Sequence, residues 1–109
     1  MTTETHAACI EACNACAIAC DRCFAACLRE DDVSMMARCI ALDADCAAAC
    51  RFAAGFMARG SFHVKSACSL CAEICDACAS ECAKHPAGHC QECASACQAC
   101  AALCREMAH

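Results

Sequence analysis

The apolar positions of this chain recur at steps of three and four residues, and the residue that recurs is cysteine. Cys9, Cys13, Cys16, Cys20, Cys23 and Cys27 form one such series. Cys68, Cys71, Cys75, Cys78 and Cys82 form a second, and Cys90, Cys93, Cys97, Cys100 and Cys104 a third. Alternating steps of this kind keep every side chain on one narrow stripe of an α-helix, the seam that leucines ordinarily fill in a bundle. A sparser fourth series holds Cys39, Cys46 and Cys50, and Asp43 takes the intervening slot. Sixteen of the 19 cysteines lie in the three full series, which is not a chance distribution.

The breaks between the series are few and well placed. Asp31-Asp32 interrupts the first segment, Gly60-Ser61 follows the second, and His85-Pro86-Ala87-Gly88 follows the third. Proline ends a helix because it lacks an N–H and restricts the residue before it. Gly60 stands where a helix C-cap is expected, with Ser61 available to cap the next start. The pattern predicts four helices near 4–29, 34–59, 62–85 and 88–107. Short connections make neighbours antiparallel, so the expected fold is all-α, an up-down-up-down four-helix bundle with a cysteine-lined core. Beside the first cysteine stripe, Ile10, Ala17 and Phe24 lie on one flank, and Ala12, Ala19 and Ala26 on the other. Small residues there let helices approach closely, while Glu11, Asn14, Asp21 and Arg22 face outward.

Composition sharpens this picture. A chain of 109 residues suits a single domain, here 1–109. Only 14 residues are Ile, Leu, Val or Phe, with no Trp or Tyr, whereas 29 are alanine, the best helix former. Something other than leucine packing must therefore fill the interior. The net charge of −5 argues against nucleic acid, which needs a basic patch. No apolar run approaches the ~20 residues of a membrane span. The N-terminal Met1–His6 has neither the basic start nor the apolar segment of a secretory signal, so a cytoplasmic location with reduced thiols is expected. No nucleophile–base pair, carboxylate dyad or phosphate loop rises above background, and an enzyme is not expected.

What can a tube of thiols do? A core of Cys and Ala buries little apolar surface per residue and would be a poor choice for packing alone. A disulfide scaffold fits badly too. The cysteine count is odd, and side chains three or four apart on a helix have Cβ atoms roughly 5–6 Å apart, against the ~3.5–4.5 Å a disulfide wants. That wider gap suits a metal ion between two sulfurs. The iron–sulfur run C-x2-C-x2-C-x3-C-P is absent. Zinc favours separate tetrahedra built on loops and hairpins, whereas C-x2-C pairs such as Cys13/Cys16 and Cys68/Cys71 lie here within continuous helices. Copper(I) is soft, prefers thiolate and thioether ligands, and accepts as few as two, so it fits the ladders best. All 19 cysteines are candidate ligands for multiple Cu(I) ions. One end of the bundle collects Cys27, Met35, Met36, Cys39, Cys82, His85, His89 and Cys90 and is expected to be the entrance. Met35 and Met36 are adjacent and cannot both face inward; Met36 is taken as the candidate, together with His85 and His89. Asp43 is expected to point inward. The other end collects Phe52, Phe56, Met57, Phe62, Leu70, Leu103 and Met107, an expected apolar plug. His6, His63 and His109 are expected on the surface.

These residues resemble the copper storage proteins, in particular their cytosolic branch, over essentially the whole chain. The most specific pieces are Cys9-Ile-Glu-Ala-Cys13-Asn-Ala-Cys16, Cys39-Ile-Ala-Leu-Asp43-Ala-Asp-Cys46, and Cys68-Ser-Leu-Cys71-Ala-Glu-Ile-Cys75-Asp-Ala-Cys78 followed by Glu81-Cys82. The resemblance implies a bundle that stores Cu(I) along its axis, assigns the metal role to all 19 cysteines, and makes His85 and His89 entrance ligands. It also implies a homo-oligomer, specifically a tetramer, for which outward Ile18 and Phe24 offer a local hint. Competing functions are a thiol-based redox or metal-responsive regulatory module, a zinc-sequestering protein, and a metallochaperone. Sensors need one or two exposed low-pKa cysteines, and carriers need an exposed site of few ligands; sixteen in register indicate capacity.

Overall fold

In a computed structural model, which describes the backbone of residues 3–109 and the side chains from His6 onward, the chain folds into four long helices. These are α1 (Thr3–Cys27), α2 (Ala37–Ala58), α3 (Val64–Cys82) and α4 (Gly88–Ala108), and a short 3-10 turn, Val33–Met36, leads into α2. Each helix packs against the next, and α1 closes the ring against α4. The result is a rod with principal extents of 45 × 17 × 17 Å, as the up-down-up-down expectation requires.

Boundaries differ from the expected ones by a few residues, each for a local reason. The first helix stops at Cys27 because Arg29 and Glu30 turn back onto Ala26 and Cys27 in tighter bonds, and the Ser34 hydroxyl then donates to Asp32 at 2.7 Å. α2 ends in a Schellman motif: Ser61 N–H donates to the Phe56 carbonyl and Gly60 N–H to that of Met57. Gly60 has φ +63°, the left-handed conformation that this motif demands and that a Cβ disfavours. Ser61 does not cap α3 directly. Its hydroxyl accepts from His63 N–H at 3.0 Å and orients the chain one step before Val64.

The interior is built almost wholly from cysteine, alanine and methionine. All 19 cysteines have no exposed surface. Ala17, Ala47, Ala53, Ala72, Ala79, Ala94 and Ala101 fill the seams between helices, with Ile10, Ile40, Leu42, Ile74 and Leu103 half-buried against them. The expected plug needs correction. Phe62 is fully exposed, and Phe52 and Leu70 are each 45% exposed. Met57 and Met107 are buried there as expected, joined by Val64: Val64 and Met107 continue the cysteine series of α3 and α4 by one rung, and Met57 that of α2 by two, past buried Ala53. Phe52 and Phe56 lie off the stripe, with ring centroids 4.3 Å apart on the outer wall.

Candidate metal centre

The four cysteine ladders meet along the axis of the rod. Neighbouring sulfurs on different helices stand 3.3–4.0 Å apart. From the far end the column passes from Cys9 to Cys104 (3.7 Å), to Cys13 (3.7 Å), to Cys100 (3.6 Å) and to Cys50 (3.8 Å). It continues through Cys75 (3.8 Å), Cys46 (3.6 Å), Cys97 (3.7 Å), Cys20 (3.8 Å) and Cys93 (3.7 Å). Every cysteine is unpaired, as a disulfide requires sulfurs at ~2.05 Å. A metal–thiolate bond of ~2.3 Å places two sulfurs on one ion about 3.8 Å apart in a tetrahedron and about 4.6 Å apart in a line. The column is therefore spaced for metal with little adjustment. Cys13, Cys71, Cys100 and Cys104 are one buried quartet whose sulfurs all lie within 4.8 Å of one another. Cys16, Cys20, Cys46 and Cys97 form a second, and Cys23, Cys27, Cys39 and Cys90 a third near the mouth.

Asp43 occupies the one ladder position that is not sulfur, and it is completely buried. Its Oδ1 accepts from the thiols of Cys93 (3.2 Å), Cys78 (3.3 Å) and Cys82 (3.5 Å), so the carboxyl joins three helices across the axis. Burial away from water pushes its pKa up to about 9, and charge on Cys93 and Cys78 adds to the rise. Desolvation likewise pushes Cys39 up, and Cys90 up to about 11. At neutral pH these groups carry protons. A carboxyl whose folded pKa exceeds its unfolded value of ~3.9 favours the fold fully below pH ~4 and loses that contribution as pH rises toward about 9. The copper-free protein is therefore expected to melt lower at pH 8 than at pH 5. In Asp43→Asn, which cannot ionise, that slope flattens by several degrees per pH unit, since one pKa unit is worth about 1.4 kcal/mol and each kcal/mol about 4–8 °C in a domain near this size. Parallel slopes for the two proteins in thermal melts under reductant would refute this account of Asp43.

The residues expected at the entrance lie together at one end of the rod. Met36, His85 and Pro86 line a cavity of about 240 Å³ together with Glu30, Asp31, Asp32, Met35 and Ala87. Of the adjacent methionines, Met36 is 6% exposed and Met35 68%, so the inward one is Met36. His89 sits against sulfur, its Nδ1 3.5 Å from Cys90, 3.7 Å from Cys23 and 3.8 Å from Cys27. His85 turns to Glu81 instead, at 2.9 Å. His63 and His109 are exposed, while His6 is half-buried near the far end.

A sequence model described as copper storage protein matches residues 2–109. The chain belongs to the copper storage protein family. An uncharacterised cysteine-rich protein of Bacillus subtilis strain 168, YhjQ, is 50% identical over 78 residues, 72% of each chain. Among solved structures, the Cu(I)-bound copper storage protein BsCsp3 superposes with a TM-score of 0.93 at 48% identity, over 96% of this chain and 99% of its own. A cytosolic copper storage protein from Streptomyces lividans, loaded with five coppers, gives the same TM-score at 39% identity, over 96% and 92%.

Two carboxylates at this end, Glu81 and Glu30, are not picked out by the cysteine pattern. Glu81 is nearly buried and bonds His85, Arg38 (3.4 Å) and Lys84 (3.5 Å); the His85 bond, with help from Lys84, holds its carboxyl below the usual range. Glu30 approaches His89 at 3.3 Å. Extending the α1 series by three residues from Cys27 reaches Glu30, and the i,i+4 spacing of Glu81 and His85 is visible in the sequence.

Proposed function

We propose that this protein stores multiple Cu(I) ions on the thiolates of its axis, in the cytoplasm, and releases them slowly. The observation that carries the proposal is the unbroken column of reduced, fully buried sulfurs at metal-ligand spacing. Family membership and relatives named as Cu(I)-bound support the choice of ion, and the relative described as cytosolic supports the compartment. The chemistry agrees. Cu⁺ is soft, takes few ligands, and carries a single charge, so one ion per bridging thiolate leaves the core almost neutral. Divalent ions would bring twice that charge into a dry interior, where charge is costly. All 19 cysteines serve as ligands, with Met36, His85 and His89 as weaker, exchangeable donors at the mouth and Asp43 as an internal oxygen donor. Assembly as a tetramer follows from the family resemblance, and exposed Ile18, Phe52 and Leu70 supply apolar surface for it.

Anaerobic addition of Cu(I) against a competing chelator tests the proposal. Saturation is expected in the teens per chain, on the order of one ion per thiolate. A ratio of one or two would point to a sensor or carrier and overturn storage.

A further inference from the structure

The two ring nitrogens of His89 meet opposite chemistry. Nδ1 faces the thiols of Cys90, Cys23 and Cys27 at 3.5–3.8 Å. Nε2 faces a carboxylate oxygen of Glu30 at 3.3 Å, contributed by the turn after α1. An ionised carboxylate only accepts hydrogen bonds, so Nε2 is the nitrogen that carries a proton. A neutral imidazole has one N–H, and the lone pair is therefore left on Nδ1, among three sulfurs.

We infer that Glu30 is a positioning residue for copper uptake: it locks His89 in the Nε2–H tautomer, with Nδ1 offered to an incoming Cu(I) beside Cys23, Cys27 and Cys90. This rests on the storage proposal for the same column. Histidines that ligate metals depend on an outer carboxylate of this kind to fix ring angle and basicity. Glu30 and His89 belong to elements far apart in sequence, so the bond also fastens the α1–α2 turn across the mouth. The geometry gives the step a simple order. Cu⁺ leaves its donor for Nδ1, then exchanges that nitrogen for a neighbouring sulfur. The thiol proton departs to water as the Cu–S bond forms, Nδ1 regains its free lone pair, and no electron is transferred. His85 is held differently. Its carboxylate, Glu81, is shared with Arg38 and Lys84, so that cluster braces α2 against α3.

Two measurements test the inference. The tautomer of His89 is read by nitrogen-15 NMR of the imidazole in copper-free protein. The rate of uptake is read by anaerobic stopped flow, with Cu(I) supplied by a weak chelator. In Glu30→Ala the tautomers mix and the first phase of uptake slows about 10-fold. Glu30→Gln keeps a neutral oxygen acceptor and recovers most of the rate. Glu30→Ala combined with His89→Ala is no slower than His89→Ala alone. The inference is overturned if either signal is unchanged in Glu30→Ala. It is equally overturned if Glu30→Gln is as slow as Glu30→Ala, which would mean simple charge attraction, or if the double variant is slower than His89→Ala. The wild-type ratio at saturation reports separately on storage, and the NMR signal involves no copper.

Discussion

Filling the column with Cu(I) is expected to raise the thermal midpoint by 20 °C or more. A ligand held only by the folded chain stabilises it by about 2.7 kcal/mol at a hundred times its dissociation constant. Several such ions together match the entire 5–15 kcal/mol stability of an ordinary domain. The unfolded chain also offers 19 thiols, which reduces the gain but does not cancel it, because only the fold brings sulfurs from four helices to one axis. A net gain of even ~4 kcal/mol corresponds to roughly 16–32 °C in a domain of this length. Circular-dichroism melts of copper-free and saturated protein, both anaerobic, check it. Coincident midpoints would mean that the ions do not depend on the folded tube.

The second large effect is on affinity. Copper binds thiolate, and at the Met36 end burial pushes Cys90 up to about 11 and raises Cys39 as well, so both hold their protons at neutral pH. Each ion entering must therefore displace about one proton. For an ion bound at Cys39 or Cys90 the apparent affinity should rise close to tenfold for each pH unit between 6 and 8, since that range lies below their raised pKa values. Competition with a chelator of known pH dependence measures the slope, and base uptake in weak buffer counts the protons directly. An affinity that is flat over this range would show that the thiols are already ionised before copper arrives.

Much of the fold was legible because cysteine spacing is itself a structural signal. The steps of three and four mark the helices and their inward stripes, and the short connections between them set the antiparallel order. Asp43 could be placed among the sulfurs because it completes the series 39, 43, 46, 50, and its burial agrees. The far end was read less well. Large apolar residues crowd that turn both on and off the ladder. Register decides: Val64 and Met107 on the next rungs, and Met57 two rungs past Cys50, are buried, whereas Phe52 and Phe62 lie off them and meet solvent. At the mouth, sequence could show that only one of Met35 and Met36 points inward, but the 3-10 turn that selects Met36 is a three-dimensional outcome. Glu30 and Glu81 were missed for a related reason. The partner of Glu30 is fixed by where the turn after α1 folds back, which a stripe pattern does not encode, whereas Glu81 pairs with His85 four residues on but lies beside the cysteine series and not in it.

The distances between sulfurs have one more consequence. Sulfurs as close as 3.3 Å are near enough to be joined by side-chain rotation once one of them is oxidised, but oxidation of a thiol follows its thiolate character and its access to solvent. Since every one of the 19 cysteines lies beneath the surface, the crowding that brings ligands together is guarded by the walls around it against being spent on cross-links.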